Sequence, residues 1–181
     1  MNRRALVHLI PIYLADLTPC LRALAAHLEQ VFATTVTILP LRFDPENAFD
    51  PSRGQYNSTL LLGRLLAEGA GTNGQILGVA GVDLFIPILT YVFGEAQLDG
   101  QVAVVSAYRL DNSHYGLPPD RDLLLDRLRK ESTHELGHVY GLIHCHTPDC
   151  VMHFSTFVED IDLKSAHFCM RCQKLLRERR G

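Results

Sequence analysis

The sequence predicts an α/β fold: a twisted mixed sheet with two N-terminal helices, one long later helix, and a small cysteine-rich C-terminal part. Three observations carry this. Short apolar runs alternate with segments of helical periodicity through the first half. A long, strongly helical stretch begins at Asp120, and four of the five cysteines then crowd into residues 145–172. With 181 residues, 47% of them hydrophobic and 20% charged, the chain suits one domain over 1–181 with a substantial core, and it is too apolar for disorder. Residues 1–133 are expected to hold the sheet and its helices, and 134–181 the remainder.

In chain order, Ala5 to Tyr13 is rich in Leu, Val and Ile and predicts a buried first strand. Thr18 is placed as N-cap of the next helix with Pro19 at its first position, and Leu21, Leu24, Ala25, Leu28, Val31 and Phe32 recur on one helical face. Thr34 to Leu41 reads as a strand, Asp44 to Gly54 as a loop, and Asn57 to Glu68 as a helix stopped by Gly69 and a glycine-rich turn. Ile76 to Ile86 and Gln101 to Leu110 are strands, with a shorter one at Tyr91 to Gln97 between them. The long helix from Asp120 ends naturally at Gly141. Residues 142–168 show little regular pattern, and a short basic amphipathic helix closes the chain.

Seventeen basic residues against twenty acidic ones leave a net charge of −3, without the basic surplus of a dedicated nucleic-acid binder. His8, Pro11, Asp16, Asp83 and Pro87 interrupt the longest apolar stretches, so no membrane span is expected. Arg3 and Arg4 before an apolar run imitate a signal peptide, but His8 and Pro11 sit inside the supposed hydrophobic region, and a cytoplasmic location is expected. The cysteines, odd in number and clustered beside histidines, suit a reducing compartment.

The chemistry lies in His134-Glu135-Leu136-Gly137-His138. Residues four apart stand above one another on a helix, so both imidazoles can reach one metal ion while Glu135 turns toward the adjoining open side. His144 lies six residues past His138, where a continuing helix would carry it away. Gly141 permits the left-handed bend that brings it back as a third ligand. Three neutral imidazoles around a tetrahedral zinc leave one position for water, the arrangement of a catalytic site, and Glu135 is placed as general base and later proton donor in carbonyl hydrolysis.

From His134 to His144 the chain resembles the metzincin clan of zinc peptidases, and the added pattern of Cys145, Cys150, Met152, Cys169 and Cys172 is similar to the archaemetzincins. The resemblance implies a metzincin-like zincin fold, a peptide substrate, and metal-dependent hydrolysis. It also implies that Met152 forms the turn beneath the metal. Where some metzincins place a tyrosine two residues after that methionine, this chain has Phe154, which leaves no obvious phenol for the substrate carbonyl. The resemblance further assigns the strand around Phe93, Gly94, Glu95 and Ala96 to the cleft border, where a peptide could pair as an added strand; an ordinary internal strand is the equal alternative.

Read without the family, Cys145, Cys150, Cys169 and Cys172 supply four thiolates, enough to close a structural zinc site and bring the expected content to two zinc ions per chain. Two disulfides are the competing arrangement, and a redox pair at Cys169 and Cys172 a weaker one. His146, His153 and His167 read as surface or supporting histidines, Cys20 as a buried helix residue, and the basic tail from Arg171 to Arg180 as a solvated face. The rival functional reading is a metal-holding peptide-recognition module with little turnover. Another is a zinc-ribbon-like element that contacts nucleic acid through its basic tail.

Overall fold

The computed structural model describes residues 6–14, 17–69 and 72–180. The elements in chain order are β1 (Leu6–Ile12), α1 (Thr18–Phe32), β2 (Thr35–Ile38), β3 (Phe49–Asp50), β4 (Gln55–Asn57), α2 (Ser58–Glu68), β5 (Gln75–Ala80), β6 (Leu84–Phe85), β7 (Gly94–Ala96), β8 (Val102–Ser106), α3 (Arg121–Val139), α4 (Val158–Leu163) and α5 (Met170–Arg180). The main sheet has the order β2-β1-β5-β8-β7, and β3-β4-β6 form a smaller sheet. All neighbours in the main sheet run parallel except β7, which lies antiparallel to β8 at the edge.

Both faces of the central strands are covered, which explains their near-continuous apolar sequences. Val7, Leu9, Leu77, Val79, Ala103 and Val105 pack toward α1, α3 and the C-terminal segment. Their neighbours Ile10, Ile12, Ile76, Ala80, Val102 and Val104 pack on the other face with Leu61 and Leu65 of α2. Helix α3 therefore lies directly on β8 and β7. Its start is fixed by Asp120 Oδ1, which accepts the Leu123 amide at 2.9 Å.

Several elements differ from the sequence expectation. Helix α1 begins at Thr18, and the residue before it, Leu17, provides no side-chain cap. The expected strand Ile76 to Ile86 breaks after Ala80, and Leu84 and Phe85 join β4 in the small sheet. The cause is Asp83, whose carboxylate takes the Arg109 guanidinium through two contacts of 2.6 and 2.7 Å and the Gln55 amide at 2.9 Å; no position inside a buried parallel sheet would offer those partners. The Asp44 to Gly54 loop contains a 3₁₀ turn at Pro45–Ala48, capped by Asp44, followed by β3. The irregular stretch after Gly141 contains α4, with Asp160 accepting the Phe157 and Thr156 amides at its start. The strand expected over Tyr91 to Gln97 shortens to Gly94–Ala96. The expected strand start at Ala5 and part of the turn after Gly69 lie outside the described residues.

Leu65 is fully buried between α2 and the sheet. Leu65→Ala is expected to destabilise the protein by about 2–5 kcal/mol, through lost burial and an unfilled cavity, as measured by urea unfolding with zinc in excess.

Candidate metal and active site

Helix α3 delivers His134, Glu135 and His138 to one end of a cleft of about 630 Å³ between α3, β7 and the loop of residues 154–157. His134 Nδ1 lies 2.8 Å from the Val151 carbonyl oxygen and His138 Nδ1 lies 2.7 Å from that of Leu142. A carbonyl only accepts, so each Nδ1 carries the proton and donates, and each Nε2 presents a bare lone pair. Those two Nε2 atoms stand 3.1 Å apart. Two facing lone pairs at that separation repel unless a cation lies between them. Zinc bonds of about 2.0–2.1 Å in tetrahedral geometry place adjacent nitrogens roughly 3.3 Å apart, so the pair fits that ion.

Gly141 does what its position demanded. It adopts φ +83°, its amide donates to the His138 carbonyl, and the chain reverses so that the ring of His144 comes within 5.0 Å of that of His138 and 5.3 Å of that of His134. One nitrogen from each of the three histidines lies within 4.8 Å of the others. Burial holds all three below the ordinary imidazole range, most strongly at His134, which favours the neutral, ligating form. Glu135 is buried beside them, and burial pushes its carboxyl well above the usual range; Glu131 and Glu95 add to this and Lys164 opposes it.

Two glycines are required by space. A Cβ on Gly137 would collide with Met152 Sδ, so this position lets the fully buried Met152 pack directly against α3 beneath the histidines. A Cβ on Gly94 would stand 2.7 Å from Glu135 Cγ, from Glu135 Oε1 and from the Val104 carbonyl oxygen. The edge strand thus presses its backbone against the Glu135 side chain. Phe93 is buried, while Glu95 points to the opposite side of the strand from Gly94, with its carboxylate held by Ser58 at 2.5 Å and Thr59 at 2.9 Å. Ala96 completes the strand and lines the cleft.

The four clustered cysteines gather at a second point, their sulfurs within 4.8 Å of one another. Cys145 Sγ and Cys169 Sγ are 3.8 Å apart, close to the roughly 3.8 Å edge of a tetrahedron with 2.3 Å zinc–sulfur bonds and far beyond a disulfide bond of about 2.05 Å. Backbone amides of Thr147 and Cys169 point at Cys145 Sγ and Cys150 Sγ, as suits thiolates. Burial works against ionisation at Cys169, yet the Cys172 amide and the neighbouring thiols outweigh it and bring that thiol down to about 6; burial pushes Cys150 and Cys172 up. The two clusters are joined by the chain step His144 to Cys145 and by the Cys145 amide, which donates to the Met152 carbonyl at 2.8 Å.

Three features of the site are missing from the sequence reading. Lys164, 1% exposed in its side chain, lies 2.8 Å from Glu131 Oε1 and donates to the His153 carbonyl at 3.2 Å, tying α4, the turn after Met152 and α3 together. Glu131 stands one helical turn before Glu135, a spacing that could have flagged it, but its partner is 33 residues away. Arg127, one turn earlier still, grips Asp162 through two contacts of 2.7 Å. A phenol does enter the cleft, from Tyr91 and not from the Met152 segment; its hydroxyl donates to the Thr156 carbonyl at 2.9 Å. Phe154 packs against His144 with the two rings tilted and their centroids 5.1 Å apart. His153 Nδ1 donates to the Cys145 carbonyl, and His146 is exposed. Cys20 is buried in α1.

The profile of Peptidase family M54 matches residues 24–178. An archaemetzincin of Methanocaldococcus jannaschii is 46% identical over 142 residues, covering 78% of this chain and 77% of that protein. The crystal structure of archaemetzincin from Methanopyrus kandleri superposes with a TM-score of 0.82 at 36% identity, covering 97% of this chain and 95% of the other. That of a zinc-dependent peptidase from Methanocorpusculum labreanum gives 0.84 at 30% identity, covering 94% and 99%.

The contact at Gly94 yields a test. Gly94→Ala is expected to leave zinc content unchanged while lowering kcat by about 10²-fold, because the added methyl displaces the Glu135 carboxylate. Metal analysis beside steady-state kinetics checks it, and parent-level turnover would show that the close approach is unimportant.

Proposed function

The chain belongs to Peptidase family M54, the archaemetzincins, and from that membership we propose that His134, His138 and His144 hold the catalytic zinc and that Glu135 moves the proton. The chain is a zinc metallopeptidase with a metzincin-like α/β fold, and its substrates are peptides. The observation that carries the assignment is the pair of Nδ1–H donors on carbonyls, which leaves bare Nε2 lone pairs 3.1 Å apart. When bound, the ion supplies Lewis acidity, lowering the pKa of water toward about 7 and polarising a carbonyl.

The rest of the chemistry belongs to the chain. Glu135 accepts a proton at a carboxylate oxygen from the water that attacks the peptide carbonyl carbon. It returns that proton to the departing amine nitrogen as the carbon–nitrogen bond breaks. Met152 forms the floor, and the edge strand around Phe93, Gly94, Glu95 and Ala96 offers an extended peptide the backbone groups that β8 leaves unpaired, the Phe93 carbonyl being already taken by the Ser106 amide.

Cys145, Cys150, Cys169 and Cys172 hold a second, structural zinc, for two ions per chain; the 3.8 Å sulfur spacing supports a metal cage over disulfides. Residues 1–181 act as one unit, in which 1–133 supply the sheet and its helices, and 134–181 the ligands. The clustered free thiols favour the cytoplasm. Among the described residues no helix is long and apolar enough to cross a membrane, and the net charge of −3 gives no reason to expect a nucleic-acid partner.

Glu135→Gln is expected to keep both ions and the fold while hydrolysis falls by about 10²- to 10⁴-fold, since the carboxylate carries protons and is not a ligand. His138→Ala is expected to lose one ion and keep the other, read by native mass spectrometry. Loss of metal in the first variant, or of both ions in the second, would contradict the roles assigned.

Cys169→Ser is expected to lower zinc from about two ions to about one or fewer per chain, and activity with it, because the Cys145 segment that carries His144 loosens. Unchanged zinc content in this variant, or disulfides found among the four cysteines of the parent, would remove the structural site from the proposal.

A further inference from the structure

The mouth of the cleft carries large apolar side chains in water, placed at both ends of β7. At one end the Asp99 and Gly100 amides donate to the carbonyls of His138 and Val139, at 3.0 and 3.1 Å, which fastens the β7–β8 turn to the end of α3. Leu98 of that turn and Ile143, the residue before His144, both line the cleft there. They are 56% and 68% exposed. At the other end the Tyr91 hydroxyl is tied to the Thr156 carbonyl. Leu89 and Phe157, 49% and 60% exposed, flank that tie and line the same cleft. Apolar surface left in water costs free energy relative to burial, so a ligand that covers these side chains gains affinity.

The polar groups of the cleft leave less to read. Glu95 is held by the Ser58 and Thr59 hydroxyls, and Glu131 is paired with Lys164. A peptide laid antiparallel along β7 would run from the Leu98 end to the Leu89 end, with Glu135 and the three histidines between. Its N-terminal half would cross Leu98 and Ile143.

We propose that the cleft selects an internal stretch of extended peptide with an apolar side chain on each side of the scissile bond, and that Leu98 and Ile143 read the N-terminal one. Leu89 and Phe157 receive the C-terminal one. This rests on the peptidase reading above and names the substrate class for the same site.

The test uses end-blocked (acetylated and amidated) twelve-residue peptides that vary at the positions around one bond, with cut sites read by mass spectrometry. The zinc-replete parent is expected to cut inside peptides bearing Leu, Ile, Phe or Met before the bond. In the Leu98→Ser, Ile143→Ser double variant, kcat/KM for these peptides should fall about tenfold or more, while peptides with Ser there change less than about twofold. The Leu98→Met, Ile143→Leu variant should retain the preference, which separates specificity from folding. Binding is measured in parallel by fluorescence anisotropy on the zinc-loaded Glu135→Gln protein, where the same two double substitutions should erase or keep the ratio of Kd values.

A preference that survives in the serine variant, a preference for charged residues, or cleavage confined to peptides with free termini overturns the inference. Turnover without any side-chain preference overturns it too and leaves the peptidase reading standing. Apolar preference in binding, lost in the serine variant, with no turnover by the parent, supports the inference and defeats the peptidase reading instead. Neither binding nor cleavage of any peptide defeats both.

Discussion

Two hydrogen bonds, from His134 Nδ1 to the Val151 carbonyl and from His138 Nδ1 to the Leu142 carbonyl, govern the rest of the site. They set the tautomer of each imidazole and turn both Nε2 lone pairs toward one point, which no feature of the helix itself would do. A histidine on an isolated helix rotates freely and protonates on either nitrogen. Both accepting carbonyls belong to chain that has reversed direction after Gly141, so the metal site exists only once residues 141–152 have folded back under α3. The buried Met152 against Gly137 holds that return segment at its depth, and the Cys145 amide on the Met152 carbonyl ties its two ends together.

That dependence explains the unusual chemistry of the C-terminal third. Helix α3 is buried around most of its later turns, yet it carries Arg127, Lys130, Glu131, Ser132, Thr133, His134 and Glu135 among its buried residues. Each such group costs free energy unless it finds a partner. The α4 segment supplies two of them, Asp162 for Arg127 and Lys164 for Glu131, and the Lys164 ammonium also takes the His153 carbonyl. The long helix and the returning chain are therefore joined by charge and by a thiol cluster as well as by apolar contact. Separating a buried ion pair leaves an uncompensated charge, which makes this junction specific in register even where its net contribution to stability is small.

The edge strand meets the same site from the opposite side. Because β7 is the edge strand of the sheet, it leaves one row of backbone groups unpaired by the sheet, and Gly94 lets that strand approach Glu135 closely. A side chain at this position would force the β7 backbone and the Glu135 carboxylate apart. The cleft is thus narrow where chemistry is assigned and apolar and open at its two ends.

What the sequence by itself determined is what depends on local period. Spacing of four places His134 and His138 on one helical face, Gly141 announces the reversal, alternating apolar runs announce the central strands, and the cysteine spacing announces a four-thiol cluster. The sequence starts two helices at Asn57 and Asp120, one residue before their observed first residues, because each is in fact the cap, which bonds within three residues of itself. Only the tertiary structure decided the imidazole tautomers, the pairing of Glu131 with Lys164, the Tyr91 hydroxyl on Thr156, the contact of Gly94 with Glu135, and the break of the long strand at Asp83. Apart from the His138–Leu142 bond, which spans four residues, each of these joins residues 17 or more positions apart, and a side chain's sequence neighbours hold no record of which distant group will neutralise it. Burial creates the need for a partner, and only the folded chain, by bringing separate elements into contact, supplies one.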